Sequence, residues 1–185
     1  MKNLNSTNLS RRSFLIKVSS VLALLSSVKV NAMTLMPNES NRSLITVQQW
    51  QLIGQIQNHL LPHEKNSPGA SDINALEYLK SIYQVPTVDI KELNEFRQGI
   101  HHFQLLFQRK YQKQSFISLS IAEKEIFLRW FEKTRIGGAW LNILLDMVLE
   151  ALLTDPIYGG NPNEIGWKWL QHQAGFPRPT KVSGI

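Results

Sequence analysis

Residues 139–153, read as AWLNILLDMVLEALL, restrict what this chain can fold into more than any other stretch. Only Asn142, Asp146 and Glu150 are polar, and they recur every four residues. Four residues advance a helix by about 400°, so the three make one narrow stripe that drifts by about 40° per step. Everything else on the cylinder is apolar, and a helix of that kind must be wrapped on most sides. At about 1.5 Å per residue the stretch reaches about 22 Å, short of a hydrocarbon core of about 30 Å, and it carries two acids. It therefore reads as the central helix of a bundle, or as a helix with one side against another protein, rather than as a membrane span. Asp146 and Glu150 lie toward the partially negative C-terminal end, a mismatch of about 0.3–1 kcal/mol each. No Lys or Arg stands between Gly137 and Ile165. A basic group is expected to reach the two acids from elsewhere in the chain or from a partner.

Asp155-Pro156 ends this helix, because proline supplies no backbone N–H and disfavours helix at the residue before it. Gly159-Gly160-Asn161-Pro162 then admits backbone angles that other residues resist. Tyr158, Trp167 and Trp169 surround the turn. A loop rich in both glycine and aromatics is a packed cap on the core helix, a docking surface, or both. Asp155, Tyr158, Gly159, Gly160, Asn161, Trp167 and Trp169 are accordingly the candidate partner-interface residues.

The 185-residue chain is enough for one ordinary domain. It has no cysteine, which excludes disulfides, thiolate metal sites, iron–sulfur clusters and covalently attached c-type haem. A net charge of +6 suggests a nucleic-acid partner until the charges are placed. Residues 1–32 hold Lys2, Arg11, Arg12, Lys17 and Lys29 and no acid, which leaves fifteen basic against fourteen acidic residues in the remainder. The basic character belongs to the N-terminal segment, and nucleic-acid binding is not indicated.

That segment reads as an export signal. Ser10-Arg11-Arg12-Ser13-Phe14-Leu15-Ile16-Lys17 precedes a modest apolar run, residues 18–28, diluted by serines. Val30-Asn31-Ala32 offers small residues for cleavage between Ala32 and Met33. The pattern resembles a twin-arginine signal of the form S-R-R-x-F-L-K, with Ile16 as a departure before the lysine. Arg11, Arg12, Phe14 and Leu15 carry the likeness, and the twin-arginine translocase is the partner it implies. Residues 33–45 then read as a loose linker and residues 46–185 as the folded domain.

Within that domain Thr46 and Gln49 have capping-box spacing, and a helix runs to about Leu60 with Val47, Trp50, Ile53, Ile56 and Leu60 inward. His59 and His63 are four apart but flank Pro62, and they read as a surface pair rather than a metal site. Pro68-Gly69-Ala70-Ser71 leads into a helix over 72–84. Asp89 and Glu92 start another over 90–113, with Leu93, Phe96, Ile100, Phe103 and Phe107 recurring by three and four. Ser120 and Glu123 start a helix over 121–134 that buries Phe127, Trp130 and Phe131, and Gly137-Gly138 closes it. The tail Gly175-Phe176-Pro177-Arg178-Pro179 is incompatible with regular helix and is expected to lie extended on a surface. No alternating β-branched run is long enough for a sheet. The expected fold is all-α, a single small domain of about five helices with an irregular C-terminal tail.

Catalytic signatures are missing. There is no G-x-G-x-x-G after a strand, no G-x-S-x-G, no H-E-x-x-H and no Walker loop. Glu64, Asp72, Asp155 and Glu164 stand in or near turns, where capping accounts for acids. The residues point to a non-catalytic chain, with no cofactor or metal of its own.

Asp155-Pro156-Ile157-Tyr158-Gly159-Gly160-Asn161, Ile165-Gly166-Trp167-Lys168-Trp169-Leu170 and Ala174-Gly175-Phe176-Pro177-Arg178-Pro179 resemble the gluconate 2-dehydrogenase subunit 3 family. The leader, the helix before Leu61-Pro62 and the Pro68-Gly69-Ala70 turn also fit that family. The resemblance implies the small subunit of a periplasmic, membrane-associated sugar or sugar-acid dehydrogenase. It implies a flavoprotein partner of the glucose–methanol–choline type that holds FAD, and a multihaem cytochrome c partner that holds haem and passes electrons to quinone. It also implies that the small subunit carries the export signal for the flavoprotein. The residues alone leave open a stand-alone exported helical binding or envelope protein with no flavoprotein partner.

Overall fold

The computed structural model describes residues 45–180 apart from Lys113. Among them six α-helices follow one another: α1 Val47–Leu60, α2 Ala75–Tyr83, α3 Ile90–Tyr111, α4 Ile121–Glu132, α5 Arg135–Leu153 and the short α6 Ile165–Leu170. Single 3₁₀ turns lie at Phe116–Ser118, Pro156–Tyr158 and Pro162–Glu164. The all-α expectation holds, with α6 added to the expected five.

The apolar stretch is the hub. Helix α5 packs against each of the other five helices. It begins four residues earlier than the apolar run suggests, and its nineteen residues span about 28 Å. That length and composition would suffice to cross a membrane. Here the helix instead buries Trp140, Leu141, Leu144, Val148, Ala151 and Leu152 inside the bundle.

Two clusters make up the core. The larger is aromatic and centred on Phe103 of α3, whose ring lies 5.1–5.3 Å from those of Phe116, Phe127 and Phe131, edge to face. Trp140 of α5 closes it from the other side. The indole enters because α3 has Gly99 at the crossing, where a Cβ would stand 2.1 Å from Trp140 Cδ1. The smaller cluster joins Ala70, Ile73 and Ala75 to Val148, Ala151 and Leu152 of α5, where small residues bring the 69–74 turn close to the helix.

Local signals set most helix starts. Thr46–Gln49 and Ser120–Glu123 form complete capping boxes. Asp89 accepts from the amides of Lys91 and Glu92, while the Glu92 carboxylate leaves the box to accept from Tyr83 Oη at 3.0 Å. The inward register of α3, from Leu93 to Phe107, is as the spacing predicts.

Other expectations need correction. Val47 is turned outward, 68% exposed, because it sits in the first turn of α1, ahead of the first buried position, Trp50. Trp130 is half-exposed beneath the Lys110 ammonium, 5.2 Å from its ring. Gly137 and Gly138 do not close α4; they lie inside α5, and Thr134 caps it through the Gly137 amide. A Cβ at Gly137 would meet Phe131 O at 2.1 Å, so that glycine permits a tight α4–α5 corner. Helix α2 starts at Ala75, since Asn74 is left-handed at φ 56° and Asp72 is occupied with the Gly69 amide at 2.7 Å. His59 and His63 are not a surface pair. His59 is largely buried and bonds Glu125 at 2.7 Å, while His63 bonds Asp72 at 2.6 Å.

Candidate functional site

The candidate interface residues converge on the C-terminal end of α5. A helix end leaves its last carbonyls without intrahelical partners. Here side chains of the following loop and of α6 supply them. Trp167 Nε1 donates to Leu153 O at 2.8 Å, and Asn161 Nδ2 donates to Thr154 O at 3.1 Å. The Asn161 Oδ1 accepts from the Gly166 amide at 2.7 Å, and the Asn161 amide donates to Ile73 O at 3.1 Å. Asn161 is fully buried at φ 48°, a left-handed conformation that asparagine tolerates better than most residues. One residue thus ties α5 and α6 through its side chain and the 69–74 turn through its backbone amide.

The glycines of the loop have different jobs. Gly159, at φ 93°, reverses the chain after the 3₁₀ turn. Gly160 and Gly166 are there for close approach: a Cβ would stand 2.7 Å from Ala151 O at the first and 2.3 Å from Leu152 O at the second.

The tail lies on the surface without helix, as expected, and Arg178 ties it down. Arg178 Nε donates to Asp155 Oδ2 at 2.9 Å, and another guanidinium nitrogen to Glu164 Oε1 at 2.6 Å. The guanidinium also lies 5.1 Å from the Trp167 ring centre, within cation–π range. Arg178 and the amide of Ile157 hold the Asp155 carboxyl below its ordinary range. Sequence reasoning missed Arg178. Its signal was present, because Asp155 and Glu164 bracket a segment with no base. The basic group expected for Asp146 and Glu150 arrives at these two acids instead. Among the described residues neither Asp146 nor Glu150 enters an ion pair, and Glu150 accepts only from Tyr78 Oη at 3.3 Å.

Of the seven candidates, Asp155, Gly160, Asn161 and Trp167 therefore have internal contacts that account for them. Tyr158, Gly159 and Trp169 face outward. The signal residues Arg11, Arg12, Phe14 and Leu15 and the Ala32–Met33 junction lie outside the described residues. Elsewhere the acids and histidines are taken up locally: Glu125 is held below its ordinary range by His59 and then Arg129, and Asp72 by His63 and the Gly69 amide. Among the described residues no three His, Asp or Glu side chains converge as a metal ion would require, and no strand is present to build a dinucleotide-binding crossover.

Fold and site together define an all-α domain with a locked C-terminal cap and a partly apolar outer face. Comparison with known families matches residues 47–175, more than two-thirds of the chain, to gluconate 2-dehydrogenase subunit 3. The chain belongs to that family, whose members are subunits of a dehydrogenase complex. Comparisons with curated proteins and with solved structures found no match.

Proposed function

We propose that this chain is the non-catalytic small subunit of a periplasmic, membrane-associated, FAD-dependent sugar or sugar-acid dehydrogenase. In this reading it escorts the flavoprotein subunit through twin-arginine export and stabilises it afterwards. The observation that carries the reading is the family membership over residues 47–175. The Arg11-Arg12 motif ahead of a serine-diluted apolar run supports the export role. FAD is made inside the cell, so a flavoprotein must be loaded and folded before it crosses. A folded-cargo route with the signal on a companion chain meets that requirement. The flavin and the haem belong to partner subunits. The flavoprotein oxidises the substrate, the multihaem cytochrome c passes electrons to membrane quinone, and this chain contributes surface rather than chemistry.

Replacing Arg11→Lys together with Arg12→Lys tests the escort role. The expected result is flavoprotein retained in the cytoplasm and dehydrogenase activity lost from the periplasmic fraction. Undiminished periplasmic activity in the double variant would sink it.

A further inference from the structure

The outward side of α5 is unlike a solvated helix face. Leu145, Leu149 and Leu153 recur every four residues and are 38%, 44% and 50% exposed. Beside them runs a second ladder, Asn142, Asp146 and Glu150, also exposed. From Asn142 to Leu153 the double ladder is about 16 Å long. Two grooves continue it. One, of about 270 Å³, lies where Asn142 and Leu145 meet His59 of α1 and Glu132 of α4. The other, of about 520 Å³, lies between Tyr78 of α2 and the Asp146, Leu149, Glu150 and Leu153 side chains.

Charge narrows the occupant. Asp146 and Glu150 stand in the C-terminal half of the helix, where the backbone dipole disfavours them. Glu132 adds a third exposed acid at the rim, and none of the three is in an ion pair among the described residues. Such a face fits apolar knobs flanked by Lys or Arg. A second copy of this chain fits poorly, since a two-fold contact would set the acids against themselves. An anionic lipid surface would be repelled for the same reason.

We propose that the Leu145–Leu149–Leu153 ladder with Asp146 and Glu150 is the docking surface for the flavin-bearing subunit. That subunit engages it through an amphipathic segment of Leu, Ile, Met or Phe side chains bordered by Lys or Arg. This inference rests on the proposed function and deepens it: the central helix faces the core on one side and the catalytic partner on the other. The outward Tyr158 and Trp169 are not needed for it.

The test uses the purified full-length chain and the purified flavin-bearing subunit, with binding measured by biolayer interferometry. Leu149→Asp, and separately Asp146→Lys with Glu150→Lys, should each weaken binding by about tenfold or more. Ile121→Asp, at a site 79% exposed in the first turn of α4, should leave binding unchanged. A photo-crosslinking residue at position 149 should attach to the flavin-bearing subunit and to a segment with the stated composition. If the unaltered chain binds that subunit and all three variants bind it equally well, the surface is misassigned while the subunit reading stands. If the unaltered chain does not bind it at all, the subunit reading fails and takes this inference with it. A crosslink from position 149 to a second copy, or to the basic residues 1–32 of the same chain, overturns the choice of occupant.

Discussion

Replacing Asn161 should disturb this fold more than its loop position suggests. Asn161→Ala removes the partner of the Gly166 amide, at a buried site, and the partner of Thr154 O, at a partly buried one. A buried polar group left unpaired costs about 1–3 kcal/mol. Alanine at φ 48° adds about 1 kcal/mol more, since its Cβ crowds the carbonyl in the left-handed region. With the full cost at the Gly166 amide and a smaller one at the partly exposed Thr154 O, the expected loss is about 2–6 kcal/mol, a large share of the roughly 5–15 kcal/mol available to a domain. Two companion variants separate the contributions. Asn161→Gly removes the backbone strain but neither orphaned group, so it should recover about 1 kcal/mol relative to alanine. Asn161→Asp keeps the acceptor for Gly166 but buries an unpaired carboxylate oxygen against Thr154 O, and should be no more stable than alanine at neutral pH. The assay is urea unfolding of the chain followed by circular dichroism, with a matching drop in thermal midpoint on the order of 10 °C for alanine. An alanine variant within about 1 kcal/mol of wild type would refute the reasoning, because ordered water would then be replacing both hydrogen bonds.

Gly99→Ala should destabilise by several kcal/mol although alanine is the better helix former, since the new Cβ would collide with the Trp140 indole at 2.1 Å; a thermal midpoint at or above that of wild type would overturn the close crossing. Asp155 offers a pH test: its folded-state pKa is depressed by Arg178 first and the Ile157 amide second, so its stabilisation is present above the ordinary carboxylate pKa and is lost as pH falls through the folded value. The thermal midpoint should therefore drop more steeply for wild type than for Arg178→Ala as pH is lowered below about 4, and parallel curves for the two would remove Arg178 from that role.

Much of the fold was legible because its signals are local. The capping boxes at Thr46 and Ser120 and the apolar register of α3 involve residues three or four apart, and nothing distant overrides them. The errors fall where a distant neighbour decides. Gly137 and Gly138 read as a helix end because glycine disfavours helix, yet the backbone carbonyls of α4 crowd the site and require glycine inside α5. Trp130 reads as core by its position beside Phe131, but the inward arc of α4 is taken by Phe127, Leu128 and Phe131, leaving the indole at the rim under Lys110. The C-terminal site was legible as a place and not as a division of labour. Its composition marked a constrained loop. Which carbonyl each side chain would cap depends on how α6 folds back across the end of α5, and no spacing in the sequence encodes that.

The same limit explains why helix α5 looked ambiguous. Its apolar surplus predicts burial on most sides, and five helices supply most of that cover. They do not supply all of it, because α1, α2 and α4 leave a gap along the Leu145–Leu153 edge. Asp146 and Glu150 in that gap are in no ion pair among the described residues, whereas Asp155 and Glu164 at the cap have Arg178. A chain that neutralises Asp155 and Glu164 from 14 to 23 residues away has the means to place a base near Asp146 and Glu150 as well. That difference is what favours a cationic occupant for the Asp146–Glu150 face in the docking we propose.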